Sequence, residues 1–513
     1  MKHLNNQPFG RFSPHRRPGL RMAAMALGLG VAVWLQASTS VALPTQISPT
    51  PNTGTITVNT SDAYNSLDPF ANNGVINITG TGTLTNNAIG NLINDGNITN
   101  FGRLINAGTL DGGGTLTNNG LLTNAGTVGS STITNSGVLT TTGVLNYSAL
   151  TNAGTLTNAA GATMGRFGTV TNTGTLTNNG TLKHDTTGLI NSGTLINTGS
   201  ISAGMGNMAN DGTLTNVVSG VMAYNDSFFT NNGTLINAGM VNLSASSLRN
   251  AGTLINSGIL ESTGRCCLSE PATNTGTLIN TGTILNTLSL VSTGTLINTG
   301  TLTNNNVGSP FDTGLLTNAG TLINAGTING TGTYLQTAGL TVNNGTLSQS
   351  GGINIQGGSL SGTGTITAPV VTLGSGAILS PGNATALGTL TINGNLQSSG
   401  NMLFHIGGLG AGQFDVLAIH GMAFLNGGTV GFNFMGYTPV SGNSWDFLFA
   451  SAISGWDTLH FTFSGLSPDL GYVFNYSNGV ETLRVYSVPE PASFLLLVFA
   501  LGGLAFWRWL KRV

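Results

Sequence analysis

Charged side chains are scarce in this sequence: Asp, Glu, Lys and Arg together make up 6% of its 513 residues. Eight of the 14 basic residues lie in the two terminal segments. That leaves Arg103, Arg166, Lys183, Arg249, Arg265 and Arg484 against all 16 acidic residues between Leu43 and Glu490, a formal charge of −10. A basic stripe is missing, and with it the means of holding nucleic acid or an anionic lipid surface, so no nucleic-acid partner is expected. Cysteine is nearly absent too. Cys266 and Cys267 are adjacent, with α-carbons ~3.8 Å apart where a disulfide wants about 4.4 to 6.8 Å. They read as two thiols in a loop insertion, with pairing between chains left open in an oxidising compartment. Aromatics are thin over most of the chain, eight in residues 74–360, and no stretch there places apolar residues three and four apart, which excludes amphipathic helices.

What is present instead is one short motif, written many times. Gly-Thr-Leu followed by Thr or Ile and then Asn occurs twelve times, at Gly82, Gly114, Gly154, Gly174, Gly193, Gly212, Gly233, Gly252, Gly276, Gly294, Gly300 and Gly320. Between Gly154 and Gly252 the starts fall 20, 19, 19, 21 and 19 residues apart. A fixed short period is the mark of a solenoid, and a unit built from Gly, Thr and Asn has no helical half. The fold expected is all-β: a parallel β-helix with ~4.8 Å between turns, about 15 turns and ~70 Å of shaft for residues 74–360.

Copies within the chain assign the side chains. The third position stays aliphatic, as in Val170 and Ile284, while the fourth alternates between Thr and Ile; the third faces the core and the fourth need not. A second aliphatic recurs six residues on, Leu116 with Leu122 and Leu176 with Leu182, an even offset that keeps strand parity. Asn and Gly sit between them, where a sharp corner calls for residues that tolerate positive φ. Stacked corners align Asn above Asn, so amide ladders are expected along the axis. Leucine-rich repeats need a Leu-x-x-Leu-x-Leu core that is not recovered, and calcium-binding Gly-Asp repeats need an Asp in nearly every unit, whereas Asp95, Asp111 and Asp211 are scattered.

After Leu360 the texture changes. Residues 401–487 hold sixteen aromatics, many alternating, as in Val430, Phe432, Phe434 and Tyr472, Phe474, Tyr476. Period two with aromatic weight predicts half-buried antiparallel strands. The stretch Gly362 to Ile366, Leu379-Ser380-Pro381-Gly382-Asn383 and Phe414-Asp415-Val416-Leu417 resembles the end of autotransporter-type β-helical surface proteins, which implies a β-rich unit over residues 361–487 closing the solenoid. A cap is physically required as well, because an open end exposes unpaired strand edges.

No catalytic, cofactor or metal site is expected. Within the repeats carboxylates are dispersed, Lys183, His184 and Asp185 form the one dense charged cluster there and read as a solvated loop, and His405, His420 and His460 lack the spacing of metal ligands. Gly-x-Gly pairs are turn residues without a phosphate-cradling Lys.

The two ends are of another kind. Arg11, Arg16, Arg17 and Arg21 precede an apolar run from Met22 to Leu35, and Ser40-Val41-Ala42 offers a small-residue cleavage site, so residues 1–42 read as a secretory signal peptide and residues 43–73 as a linker or cap. At the other end Val488, Pro489, Glu490 and Pro491 come before an uncharged run from Phe494 to Trp507 and the basic residues Arg508, Lys511 and Arg512. A helix over Ser493 to Leu510 would be about 27 Å long, enough for a single transmembrane helix with snorkelling ends and its basic cluster on the cytoplasmic side. This order over residues 488–513 resembles the PEP-CTERM sorting signal. The resemblance implies an exosortase-type processing enzyme as partner, transient anchoring in the inner membrane, and delivery to the cell surface or extracellular matrix. An ordinary single-pass anchor would share the helix and charges but not the Pro-Glu-Pro motif. The function expected is that of an exported, noncatalytic structural or adhesive protein associated with biofilm or exopolysaccharide. A polysaccharide-binding or polysaccharide-degrading β-helix is the alternative, and ice binding by outward Thr arrays a third.

Overall fold

The computed structural model describes residues 51–488, apart from 65–67, 166–167, 185, 187, 264–269, 307–313 and 383–385, together with Trp507 and Lys511. The chain divides into residues 1–45, which lie outside the described residues, and residues 46–513, to which the following refers.

One turn shows the design. Thr169–Asn172, Thr175–Asn178 and Thr181–Lys183 are three short strands separated by tight corners, and they define a first, second and third face. Alternation places Val170, Leu176 and Leu182 fully inside, while the flanking Thr residues stay half-exposed. Each strand pairs in parallel with its counterparts one turn away: Thr175–Asn178 lies in register with Thr155–Asn158 before it and Thr194–Asn197 after it. Parallel strands joined this way need crossovers, and here the other two faces supply them. Such pairing begins at Thr55, opposite Val75, and continues to Ser464, opposite Asn433, beyond both limits of the recognisable repeat.

Expected amide ladders are present at two corners. Where the first face ends, nine consecutive Asn-to-Asn bonds of 2.6–2.8 Å run from Asn100 to Asn274. Where the second face ends, nine more of 2.6–2.8 Å run from Asn158 to Asn343. Every bond has the same polarity, the earlier residue donating through Nδ2 to the Oδ1 of the later one. The amide also reaches backbone: Asn172 Nδ2 donates to the carbonyls of Gly174 and Thr194 at 3.2 and 3.0 Å. An amide has two donors and two acceptor lone pairs, so it suits a buried stack in which hydroxyls or carboxylates would leave groups unpaired.

The corner glycines need correction. Positive φ was expected there, yet Gly154, Gly174 and Gly193 are not among the positive-φ residues. Their requirement is steric. Thr175 donates to the carbonyl of Gly154 at 2.9 Å, so that oxygen points along the stack at the next corner, and a Cβ on Gly174 would stand 2.2 Å from it. Glycine is used for close approach rather than for an unusual dihedral.

The C-terminal region departs from expectation in strand direction. Thr429–Phe434 is parallel to Asn401–Ile406, and His460–Ser464 is parallel to Thr429–Phe434. Among the described residues antiparallel pairing is confined to the hairpin Leu470–Ser477 with Val480–Ser487, whose second strand also pairs with Ser444–Phe449, apart from isolated bridges such as Ile406 with Phe414. Alternation reports half-burial, which both directions satisfy, so it carries no information on direction. The aromatics fill the core at this end: Phe432 stacks between Phe404 and Phe463 at 5.6 and 5.3 Å. The hairpin then lays Tyr472 against Phe463 at 4.2 Å and Phe474 against Phe461 at 4.3 Å, covering apolar surface at the end of the stack.

Among the described residues the only helical segment of an assigned element is the short 3-10 turn Trp456–Thr458, and no helix is long and apolar enough to cross a membrane. The transmembrane helix expected over Ser493 to Leu510 lies outside the described residues except at Trp507, as do the signal peptide and the Cys266-Cys267 pair.

Candidate functional site

Of the residues assigned to sorting, the structure describes Val488 and Lys511; Pro489, Glu490, Pro491, Arg508 and Arg512 lie outside the described residues. Val488 is exposed and its N–H donates to the carbonyl of Asp469 at 2.9 Å. The Lys511 ammonium lies 3.8 Å from the centre of the Trp507 ring, a cation–π contact.

His184 is not the solvated loop residue that its neighbours suggest. It is fully buried, its Nε2 is 3.4 Å from the Tyr224 hydroxyl, and its Nδ1 has no partner. Burial pushes its pKa down to about 4, against a smaller opposing effect of its own backbone, and burial likewise raises that of Tyr224. The imidazole is therefore neutral near pH 7 and serves as a flat filler beside Tyr224, which in turn meets Phe229 edge-on at 5.4 Å. Lys183 at the adjacent position points outward and is exposed; Asp185 is outside the described residues.

Of the three C-terminal histidines, one has a partner that sequence reading missed. Asp415 is buried and accepts from the His405 ring through Nδ1 at 2.8 Å, from the His405 N–H at 2.9 Å and from the Gly388 N–H at 3.2 Å. Burial raises the Asp415 pKa, and these three donors oppose the rise. The carboxylate thus ties strand Asn401–Ile406 to Gly388, and it packs so close to Gly382 that a Cβ there would be 2.5 Å from it. This is a fastening, in which a buried acid finds enough donors to be tolerated. A second buried acid, Glu481 in the terminal hairpin, has its pKa pushed up to about 7 by burial.

Among the described residues no group of three His, Cys, Asp or Glu side chains is placed to hold a metal ion. A polar hollow of about 250 Å³ is lined by Asp111, Gly129, Ser131, Asn146 and Ser148 among others. It arises because Gly129 stands in the outward row between Asp111 and Asn146, and a Cβ there would lie 2.3 Å from Asp111 Oδ1. The hollow can offer hydroxyls, an amide and one carboxylate, without a second acid or base beside them. No protein-family model matches this chain, and no curated protein matches it.

Proposed function

We propose that the protein is an exported, noncatalytic scaffold or adhesive component of the cell surface or extracellular matrix, delivered there through its C-terminal sorting signal. The observation that carries this reading is how the repeat uses its side chains. Inward positions are given mostly to aliphatics and to amides that bond to the adjoining corner and to neighbouring turns, and outward positions largely to Thr, Ser, Asn and Ile. Chemistry-bearing groups are thereby dispersed over the stack, while mechanical continuity is built into every turn. An exosortase-type enzyme is the processing partner in this reading, acting at Val488-Pro489-Glu490-Pro491, with the basic residues Arg508, Lys511 and Arg512 holding the tail in the inner membrane beforehand.

Replacement of Pro489, Glu490 and Pro491 by Ala tests the sorting step. Fractionation and intact mass of the wild-type protein are expected to show a released form without the tail, and the triple variant a full-length form held in the inner membrane. An unprocessed wild-type tail, or processing indifferent to the substitutions, makes the segment an ordinary anchor.

A second reading, binding of polysaccharide, is favoured by the hollow between Asp111 and Asn146. Gly129→Val fills it, so retention on an immobilised exopolysaccharide panel that is lost in this variant would support that reading; no retention, or retention unaffected by Val, would remove it.

A further inference from the structure

The second face of the solenoid is far more regular than the other two. From Thr155–Asn158 to Thr321–Asn324 its nine strands read Thr-Leu-Thr-Asn or Thr-Leu-Ile-Asn without exception. Successive strands are paired residue for residue, Thr on Thr in every step. The outward surface is thus a rank of nine Thr side chains beside a parallel rank of Thr and Ile, two residues away along the strand. No charged or aromatic side chain interrupts either rank, whereas over the same turns the first face carries Arg249 and the third carries Lys183 and Glu261.

The connections keep this face clear. Its flanking corners are two residues long, ending in Gly, in nearly every turn; Ala159 to Ala162 and Val217 to Gly220 are the longer cases. The longer stretches of sequence between strands in this range, residues 305–314 among them, run from the third face to the first. The edge that ends the second face is an Asn ladder throughout, and the edge that ends the first face is one as far as Asn274.

The hydroxyls of the Thr rank make no side-chain hydrogen bond to another described residue, so each retains a donor and two acceptor sites for water. Their χ1 angles are stiff because Thr is β-branched, which keeps equivalent atoms in register from turn to turn. Hydroxyls one turn apart stand about 4.8 Å from each other, too far for a direct bond, and a single water with bonds of about 2.75 Å to each spans the gap. The angle at that water is about 120°, close to the tetrahedral arrangement of hydrogen-bonded water. Beside it the mixed rank presents six Ile whose methyl groups cannot bond to water and leave the bridging waters to one another, and three Thr, Thr157, Thr177 and Thr215. A sugar polymer would find neither an aromatic platform nor a charged group on this face.

The geometry points to the surface of an ice crystal as the ligand of the second face, with Thr155 to Thr321 templating a row of bridging waters that merges with the lattice. This activity is independent of the sorting tail and of the scaffold role proposed above. The test is growth of a single ice crystal in a solution of the chain purified from its producing cells. Growth arrest below the melting point, with faceting, is expected for the wild type. It is lost when Thr234→Lys and Thr253→Lys are combined on the second face and kept when Thr171→Lys and Ser202→Lys are combined on the first and third, all with unchanged strand-rich circular dichroism. Unrestricted growth with the wild-type fold intact overturns the assignment, as does arrest that responds equally to both pairs. So does self-association in sedimentation that the second-face pair abolishes, because a second copy of the chain then occupies the face. If the second-face pair unfolds the protein, Thr234→Val with Thr253→Val, which keeps shape and removes the hydroxyls, decides by the same loss or retention of arrest.

Discussion

Leu235 and Ile236 are neighbours in sequence with opposite surroundings: Leu235 is 1% exposed inside the coil, and Ile236 lies half-exposed on the second face. Leu235→Asp places an unpaired charge in the core and is expected to cost several kcal/mol, whereas Ile236→Thr, a residue that other copies carry there, is expected to cost well under 1 kcal/mol. Denaturant midpoints for the two variants decide, and equal loss would undo the assignment of inside and outside. That assignment was legible from the sequence because copies of the repeat act as substitutions tested within one chain. His184 was not legible, since a His between Lys183 and Asp185 reads as surface charge, and only the coil's geometry brings Tyr224 to it, forty positions away. Its neutral form is favoured by folding, with a folded pKa of about 4 against 6.5. It therefore contributes stability that is complete above about pH 6.5 and is lost as pH falls toward 4, about 3 kcal/mol in all. His184→Gln should flatten the dependence of stability on pH in that window; an unchanged slope would show that the ring is not the group responsible. Corner glycines complete the residue scale. Gly174→Ala, with a carbonyl 2.2 Å from the new Cβ, is expected to cost several kcal/mol, and Gly161→Ala, where φ is +80° and nothing lies within 4 Å, about 1 kcal/mol.

Single elements show where pattern reading ends. The Asn ladder at the end of the second face could be anticipated from the repeat, but its interruption has a local cause. A shorter run from Asn86 through Asn106 ends at Asn124, which donates to Thr141 Oγ1 at 3.0 Å, and the next amide oxygen, Asn158 Oδ1, is buried without a partner. Thr141 stands in line with both. Thr141→Asn should join the two runs and raise stability by about 1 kcal/mol, measured as a shift in denaturant midpoint; no change or a loss would mean that the gap has relaxed around Thr. The terminal hairpin was expected as one of several antiparallel pairs and is the main one, because alternating aromatics specify burial while pairing direction is set by the turns between strands. Its Glu481 has a folded pKa raised to about 7 from 4.5. The sign is opposite to that of His184: the contribution is present below about pH 4.5 and is lost as pH rises through 7. Glu481→Gln is expected to remove this dependence and make the hairpin more resistant to opening at pH 8 than the wild type. The His405–Asp415 tie escaped sequence reading for a different reason, since an acid ten residues from a His in irregular chain has no period to reveal it.

At the scale of the whole molecule, stability is a sum of turns, each too small to bury enough apolar surface alone and each resting on the next. A Gly-rich, weakly charged chain of this composition has disorder as its natural competitor, and what separates the two is the registry of buried aliphatics and Asn kept over most turns. The proposed role outside the cell and the water-templating face both depend on that registry, because a scaffold must transmit load and a lattice-matched rank must hold its spacing. Residue-resolved hydrogen exchange of the purified protein near neutral pH tests it most directly. Continuous stacking predicts strongly protected backbone amides in successive strands of all three faces from Thr55 to Ser464, with the deepest protection in the central turns that bear both Asn ladders and faster exchange toward the ends. Exchange at unprotected rates through residues 154–324 would contradict it.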